Sequence, residues 1–339
     1  MYIFINISNG GTAMDRPKVY IAQKIPYEIE DYIGKFCNYE KWTKNASIPQ
    51  DELFSKIKDK DGIMLYGIKI DEILLDHAPN LKIVSNISAG YNNFDLNLMK
   101  KRNIMGTNTP GILDDTVADL VFGLILCSAR KIIESDRYLK EGKWTYEYNS
   151  NLLGKDVHHS TIGIIGMGRI GTAVAKRAKL GFDMNVIYHN RNRRYDVEKT
   201  LDVQYSELDS LIKTSDFIVL LTPLNQNTYH IIDYKEFDIM KKSAIFINAS
   251  RGSVVNEKAL IDALQNEKIL GAGLDVYEAE PINKDNPLLK MKNVITLPHV
   301  GSGTHNTLYN MIKTAAFNLV KGAYGEIPPN LVPELTKYP

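Results

Sequence analysis

An apolar run, Thr161-Ile162-Gly163-Ile164-Ile165, opens directly into Gly166-Met167-Gly168-Arg169-Ile170-Gly171 and then into good helix formers from Thr172 to Leu180. A strand, a glycine turn and a helix in immediate succession form the phosphate-binding start of a Rossmann unit. Gly166 permits the tight turn, Gly168 lets the backbone approach a pyrophosphate, and Gly171 lets helix and strand pack closely. The helix N-terminus then offers unpaired N–H groups and a positive dipole end to the phosphates. Glycine turns also serve ordinary connections, so context decides. Here the helix has Gly181 as its expected C-cap, and Asn185–Tyr188 follows as a second strand. Because the turn falls mid-chain, something of domain size precedes it.

An NAD site usually carries an acidic residue about 20 residues beyond the glycines, where it holds the ribose 2′-hydroxyl. This chain reads Tyr188-His189-Asn190-Arg191-Asn192-Arg193-Arg194 there. The stretch offers no carboxylate to repel a 2′-phosphate, and its three arginines can pair with one through charge-assisted bonds. A solvated basic loop is the alternative reading. Its location favours NADPH as the preferred cofactor, with NADH possible.

At 339 residues the chain is long enough for two domains with sizeable cores. A formal net charge of +1 points to neither nucleic acid nor an anionic membrane surface. Two cysteines, Cys37 and Cys127, make no disulfide framework and no metal spacing, and they fit a reducing compartment. The longest apolar segment, Val117–Ala129, is too short to span a bilayer and contains Asp119. The N-terminus lacks the basic start and cleavage site of a signal peptide. A cytoplasmic location is expected, with residues 1–13 as a poorly ordered extension ahead of Met14.

Before the glycine turn, Lys18–Ala22, Gly62–Tyr66 and Leu81–Ser85 read as short buried strands separated by helical segments such as Gln50–Lys60. A single long helix is expected over 116–141, apolar nearly all round in its first turns and so buried between domains or subunits. After the turn come strands at Phe217–Leu221, Ala244–Asn248, Gly271–Val276 and Asn293–Leu297, with a helical stretch over Glu257–Gln265. The count suits one parallel doubly wound sheet. A final helix, 305–325, has no strand to return to in that sheet and is expected to pack back on the first domain.

Three titratable or charged residues lie just beyond strand ends, where ligands bind in open α/β sheets. They are Arg251 in Asn248-Ala-Ser-Arg-Gly252, Glu280 in Asp275-Val-Tyr-Glu-Ala-Glu-Pro281, and His299 in Leu297-Pro-His-Val-Gly-Ser-Gly303. Singly, each has an ordinary interpretation: a surface ion pair, a turn, a cap. Together they form a working set. Arginine can grip a carboxylate and polarise a neighbouring carbonyl. Histidine can donate a proton near neutral pH, and a carboxylate beside it favours the imidazolium form. No cluster with metal-ligand spacing accompanies them.

These segments resemble the D-isomer-specific 2-hydroxyacid dehydrogenases from about Met14 onward, most closely the glyoxylate/hydroxypyruvate reductase branch that includes 2-ketogluconate reductases. Supporting segments are Ser85–Asp95, Thr107-Asn-Thr-Pro-Gly111 and Thr116-Val-Ala-Asp119. The resemblance implies an α/β fold of two Rossmann-like domains, a doubly wound parallel-sheet cofactor domain over 114–303 inserted into a smaller flavodoxin-like substrate domain over 14–113 and 304–339. It also implies roles. Arg251 binds the substrate carboxylate and carbonyl, His299 donates the proton, and Glu280 orients and charges it. Ala89 and Gly90 hold the substrate carboxylate through backbone N–H groups. Gly168, Arg169 and Ile170 lie along the pyrophosphate, Thr222 and Pro223 beside the adenosine, and Ala249 and Asp275 at the nicotinamide end, Asp275 accepting from the carboxamide. Asn190 and Arg191, with Arg194 close behind, look like the residues of NADPH-using members, with Arg193 as an alternative partner for the 2′-phosphate.

The implied activity is reduction of small 2-keto acids, with glyoxylate, hydroxypyruvate and 2-ketogluconate undistinguished; Tyr91 and Trp144 are candidates for shaping the pocket. The resemblance further implies a homodimer in which Trp144 reaches the partner's site, simple packing being the alternative, and a cleft that closes between domains. Formate dehydrogenases share the fold but generally carry glutamine in place of Glu280. A cofactor-sensing corepressor of the same fold is the alternative from another class.

Overall fold

The structure, a computed structural model, describes residues 16–146 and 149–336. The expected extension over residues 1–13 lies outside them. The chain divides into two compact units, one built from residues up to Pro110 and from Leu308 onward, the other from Gly111–Thr307.

In the first unit, β1 (Lys18–Ile21), β2 (Asn38–Lys41), β3 (Gly62–Leu65), β4 (Ile83–Asn86) and β5 (Met105–Thr107) form a parallel sheet in the order β2-β1-β3-β4-β5. Every residue of β3 and β4 is buried, as befits strands of a sheet covered on both faces. β2 and β5 carry no apolar-run signal. The first is an edge strand alternating between exposed and half-buried residues, and the second is only three residues long. The final helix, His305–Ala323, lies against this sheet as expected. Ser85 Oγ donates to the Ala315 carbonyl at 2.7 Å, and a side chain at Gly322 would collide with Ile83.

In the second unit, β6 (Thr161–Ile165), β7 (Asn185–His189), β8 (Gln204–Tyr205), β9 (Phe217–Leu220), β10 (Ile245–Asn248), β11 (Gly271–Leu274) and β12 (Val294–Thr296) form a parallel sheet in the order β12-β11-β10-β9-β6-β7-β8. The strand order reverses between β6 and β9, and the crevice at such a switch point is where doubly wound sheets bind nucleotides. β9 and β10 are buried throughout, and Leu220, Phe246, Leu274 and Tyr277 share one core.

Two helices depart from expectation. The helix after the glycine turn runs Arg169–Phe182, and its C-cap is Asp183 in the left-handed conformation (φ +49°) rather than Gly181. Aspartate tolerates that conformation better than most residues. The single helix expected over 116–141 is two helices, Asp114–Arg130 and Ile132–Lys140. Left-handed Lys131 (φ +50°) separates them, its N–H capping Cys127 O and its Nζ held by Asn151 O at 2.9 Å. The first half buries Val117, Val121, Leu124 and Ile125 in its own unit, with Phe122 stacked on Phe182 at 4.9 Å. The second half buries nothing and leaves Ile132, Ile133 and Leu139 exposed. Among the described residues, no helix is long and apolar enough to cross a membrane, and no cluster of His, Cys, Asp and Glu could hold a metal ion.

Candidate active site

The glycine turn follows β6 at the switch point. Gly166 has φ +107°, and a Cβ there would lie 2.8 Å from the Leu221 carbonyl carbon after β9; one at Gly171 would overlap Gly166 O. Gly168 is different, since a Cβ there would meet no atom within 4 Å. Gly168 and Arg169 are exposed and Ile170 is half-buried, so the first N–H groups of the helix stand open. Thr222 Oγ1, just past β9, is shielded from solvent and has no hydrogen-bond partner among the described residues, while Pro223 beside it is exposed. A close-packed turn with open space at its second glycine and an orphaned hydroxyl nearby fits a dinucleotide. Arg169 Nε stands 3.5 Å from Asp114, whose carboxyl burial pushes up although the arginine opposes the shift.

The basic loop after β7 is less free than its composition implies. It has no carboxylate of its own, yet the next helix, Tyr195–Leu201, supplies two. Glu198 grips Arg193 through both oxygens, at 2.8 and 2.9 Å, and accepts from Tyr188 Oη at 2.6 Å. Arg193 also stacks over Tyr195 and Tyr205, at 5.0 and 5.5 Å. Asp196 grips Arg194 at 2.8 and 2.7 Å, while Arg194 Nη1 donates to Met167 O inside the glycine turn at 3.0 Å. Asn190 Nδ2 donates to Asn192 O at 2.8 Å. Arg191 is exposed and has no ion pair or hydrogen bond among the described residues. Of the three arginines it alone is uncommitted.

Arg251, Glu280 and His299 follow β10, β11 and β12, three adjacent strands, and converge. His299 Nδ1 lies 2.6 Å from Glu280 Oε2, both side chains about one-third exposed (35 and 36%). Burial pushes the Glu280 carboxyl up. The hydrogen bonds from His299 and the Tyr277 N–H, with the charges of His299 and Arg251, outweigh burial and leave it below the usual glutamate value. Each of the three loops is pinned. Asn248, at the end of β10 and 2% exposed, accepts from Ser250 N and Oγ and donates to Arg251 O, fixing the turn that carries the arginine. Arg251 Nη1 donates to Ser250 O at 2.6 Å, and Ala249, between Asn248 and Ser250, is half-buried. Gly252 is packed so tightly that a Cβ would overlap the Tyr277 carbonyl, bringing the Arg251 and Glu280 loops into direct contact.

Asp275 holds the histidine loop: its two oxygens accept from Val300 and Gly301 N–H, each at 2.8 Å, and burial raises its pKa against those bonds. The resemblance gives Asp275 only a nicotinamide role; here both its oxygens already serve the His299 turn, where His299 sits at φ +53°. In the other unit, Ala89 and Gly90 follow β4 and are half-buried.

The profile described as D-isomer specific 2-hydroxyacid dehydrogenase, NAD binding domain, matches residues 122–301, the span that holds the glycine turn and all three of these side chains. This chain belongs to that family. Among the 2-hydroxyacid dehydrogenases, it is 44% identical over 319 residues to a glyoxylate reductase of Korarchaeum cryptofilum, covering 94% of this chain and 96% of that protein. It is 46% identical over 317 residues to a glyoxylate/hydroxypyruvate reductase B of an Enterobacter species, covering 94 and 98%. It is also similar to the crystal structure of an NADPH-dependent glyoxylate/hydroxypyruvate reductase from Sinorhizobium meliloti in complex with NADP and malonate, with TM-score 0.82, 30% identity and coverage of 94 and 98%.

Several supporting residues of this dehydrogenase carry little sequence signal. Tyr277 Oη donates to Leu297 O at 2.9 Å, tying the glutamate loop to the histidine loop. Glu278 pairs with His230 at 2.6 Å, and the His230 N–H donates to Ser253 O, which joins the loop after β9 to the Arg251 and Glu280 loops. Asn248 had a signal available, because asparagine followed two residues on by a small polar residue at a strand end marks a side-chain-closed turn.

Proposed function

We propose that this chain is an NADPH-preferring reductase of small 2-keto acids, glyoxylate and hydroxypyruvate first among them and 2-ketogluconate within the same chemistry, giving D-2-hydroxy acids. The observation that carries this reading is the 2.6 Å His299–Glu280 pair standing within the electrostatic reach of Arg251. When bound, the reduced nicotinamide supplies the hydride. Arg251 grips the substrate carboxylate and stabilises the carbonyl oxygen as charge develops on it. Glu280 takes His299 Nδ1, which leaves Nε2 to deliver a proton to that oxygen. Asp275 and Tyr277 hold the histidine turn in place. Arg191 is the first contact of a 2′-phosphate, with Arg194 at the edge of the glycine turn; Arg193 is structural.

We assign cofactor binding to residues 114–303 and substrate binding by Ala89 and Gly90 to the unit of 14–113 and 304–339. A homodimer through the segment 132–153 is supported by its exposed Ile132, Ile133, Leu139, Trp144 and Leu153. Two unpaired cysteines, with burial pushing the Cys37 thiol up to about 12, suit a reducing cytoplasm.

The test is loss of the reduced-nicotinamide absorbance with hydroxypyruvate and glyoxylate, run in parallel with NADPH and NADH. Turnover with NADPH preferred is the expected result. Preference for NADH would overturn the arginine assignment and leave the reductase standing, while silence with every 2-keto acid would overturn the reductase.

A further inference from the structure

The loop after β4 holds an arrangement that the catalytic side chains do not explain. Three consecutive carbonyls are tethered. Ser88 O accepts the Thr109 N–H at 2.9 Å, Ala89 O accepts Asn108 Nδ2 at 2.6 Å, and Gly90 O accepts Asn86 Nδ2 at 2.9 Å. In a trans peptide the N–H points opposite to the carbonyl of the same unit. Tethering the carbonyl of each unit therefore fixes the plane of that peptide, and with it the direction of the Ala89, Gly90 and Tyr91 N–H groups. None of these three donates to an acceptor among the described residues, and Ala89–Tyr91 are half-buried rather than sealed. Unpartnered N–H groups held in fixed directions are ready donors for an anion.

The tethers are themselves anchored. Asn86, the last residue of β4 and 1% exposed, uses its other amide hydrogen on Asn93 Oδ1 at 3.2 Å, and Asn93 Nδ2 donates to Ile68 O at 2.8 Å. Asn108, just past β5 and 9% exposed, donates its N–H to Asn330 O at 3.3 Å. Its carbonyl accepts from Asn318 Nδ2, on the buried face of helix His305–Ala323, at 3.4 Å. In each asparagine a side-chain amide supplies the donor that the carbonyl accepts. A carboxylate would set oxygen against oxygen, and an apolar side chain would leave the peptide free to turn.

We propose that Asn86 and Asn108 are positioning residues that aim the Ala89, Gly90 and Tyr91 N–H groups at the substrate carboxylate, an inference that rests on the 2-keto-acid reading above. The two asparagines touch no substrate. They act by denying the peptide planes any other orientation.

The experiment uses the full chain with Asn108→Leu and Asn86→Leu, and Asn86→Ser as a milder variant should either fail to fold. Oxamate, a carboxylate that cannot be reduced, is titrated by calorimetry in the presence of NADPH, beside steady-state kinetics with hydroxypyruvate. The expected result is a rise of about 10-fold in the oxamate dissociation constant and in KM for hydroxypyruvate, corresponding to loss of about one hydrogen bond to a charged group. The affinity for NADPH stays unchanged. Unchanged oxamate affinity with only a lowered melting temperature would overturn the proposal and leave the reductase intact. An equal loss of NADPH affinity would also overturn it. Wild-type oxamate binding that the variants weaken, in a protein that reduces no 2-keto acid, would sustain the positioning role and overturn the reductase. Neither binding nor turnover in the wild type would overturn both.

Discussion

At the C-terminal edge of its sheet the smaller unit displays main-chain N–H groups held from beneath by asparagine amides. The larger unit displays charged side chains, Arg251, Glu280 and His299, held from beneath by backbone contacts and by carboxylate and asparagine latches. The difference decides where identity matters. A main-chain donor survives almost any side-chain change at its own position, so its specificity resides in the residues that aim it. A guanidinium or an imidazole cannot be replaced at its own position at all.

The strongest attempt to break that contrast is His299→Ala. It is expected to lower kcat by about 10²–10⁴-fold, the span typical of a lost general acid, with NADPH affinity by fluorescence titration unchanged. Arg251→Ala comes next, with kcat/KM for hydroxypyruvate down by about 10²–10³-fold as the developing oxyanion loses its charged donor. Activity within a few-fold of wild type in either variant would remove that residue from the site.

Smaller effects separate the arginines. Arg191→Ala is expected to raise KM for NADPH about 10-fold with NADH unaffected, the loss of one charge-assisted contact. Arg193→Ala is expected to alter the melting temperature more than the cofactor ratio, because its partners are Glu198 and two tyrosines. Equal behaviour of the two variants would erase the distinction.

Glu280→Gln tests the carboxylate through pH. The Glu280 carboxyl in the folded chain lies below its ordinary value of 4.5, so its stabilising contribution is complete above that value and fades as pH falls through the folded pKa. The melting-temperature gap between wild type and variant is therefore expected to be constant near neutral pH and to close below about 4.5. The smallest effect is expected at Ala89→Ser, within about 0.5 kcal/mol in both stability and substrate binding, as for substitutions away from special features. A large kinetic loss there would show that the side chain, not the N–H, faces the substrate.

The larger sheet was legible because its central strands are buried on both faces and so read as unbroken apolar runs, Phe217–Leu220 and Ile245–Asn248 being the clearest. Edge strands such as Asn38–Lys41 lack that signature. The meeting of the charged trio was legible because its members lie just past the ends of strands in one parallel sheet. What stayed hidden depends on contacts remote in sequence. Asn318 reaches Asn108 across 210 positions, and a Gly252 Cβ would strike the backbone of Tyr277. The pairing of the loop arginines was hidden for a related reason. Composition shows three arginines, while the first turn of the next helix pairs with two of them.

Gly252 also bears on how this scaffold can be altered. Arg251 and Glu280 follow separate strands, and the spacing between their loops is set by the absence of a single carbon atom. Any side chain there must push the Tyr277 carbonyl aside, and with it the anchor of Glu280. Libraries that seek new substrates would thus leave 248–252 and 275–280 untouched. Their diversity belongs at Tyr91 and its neighbours, where a change of shape leaves the proton path in register.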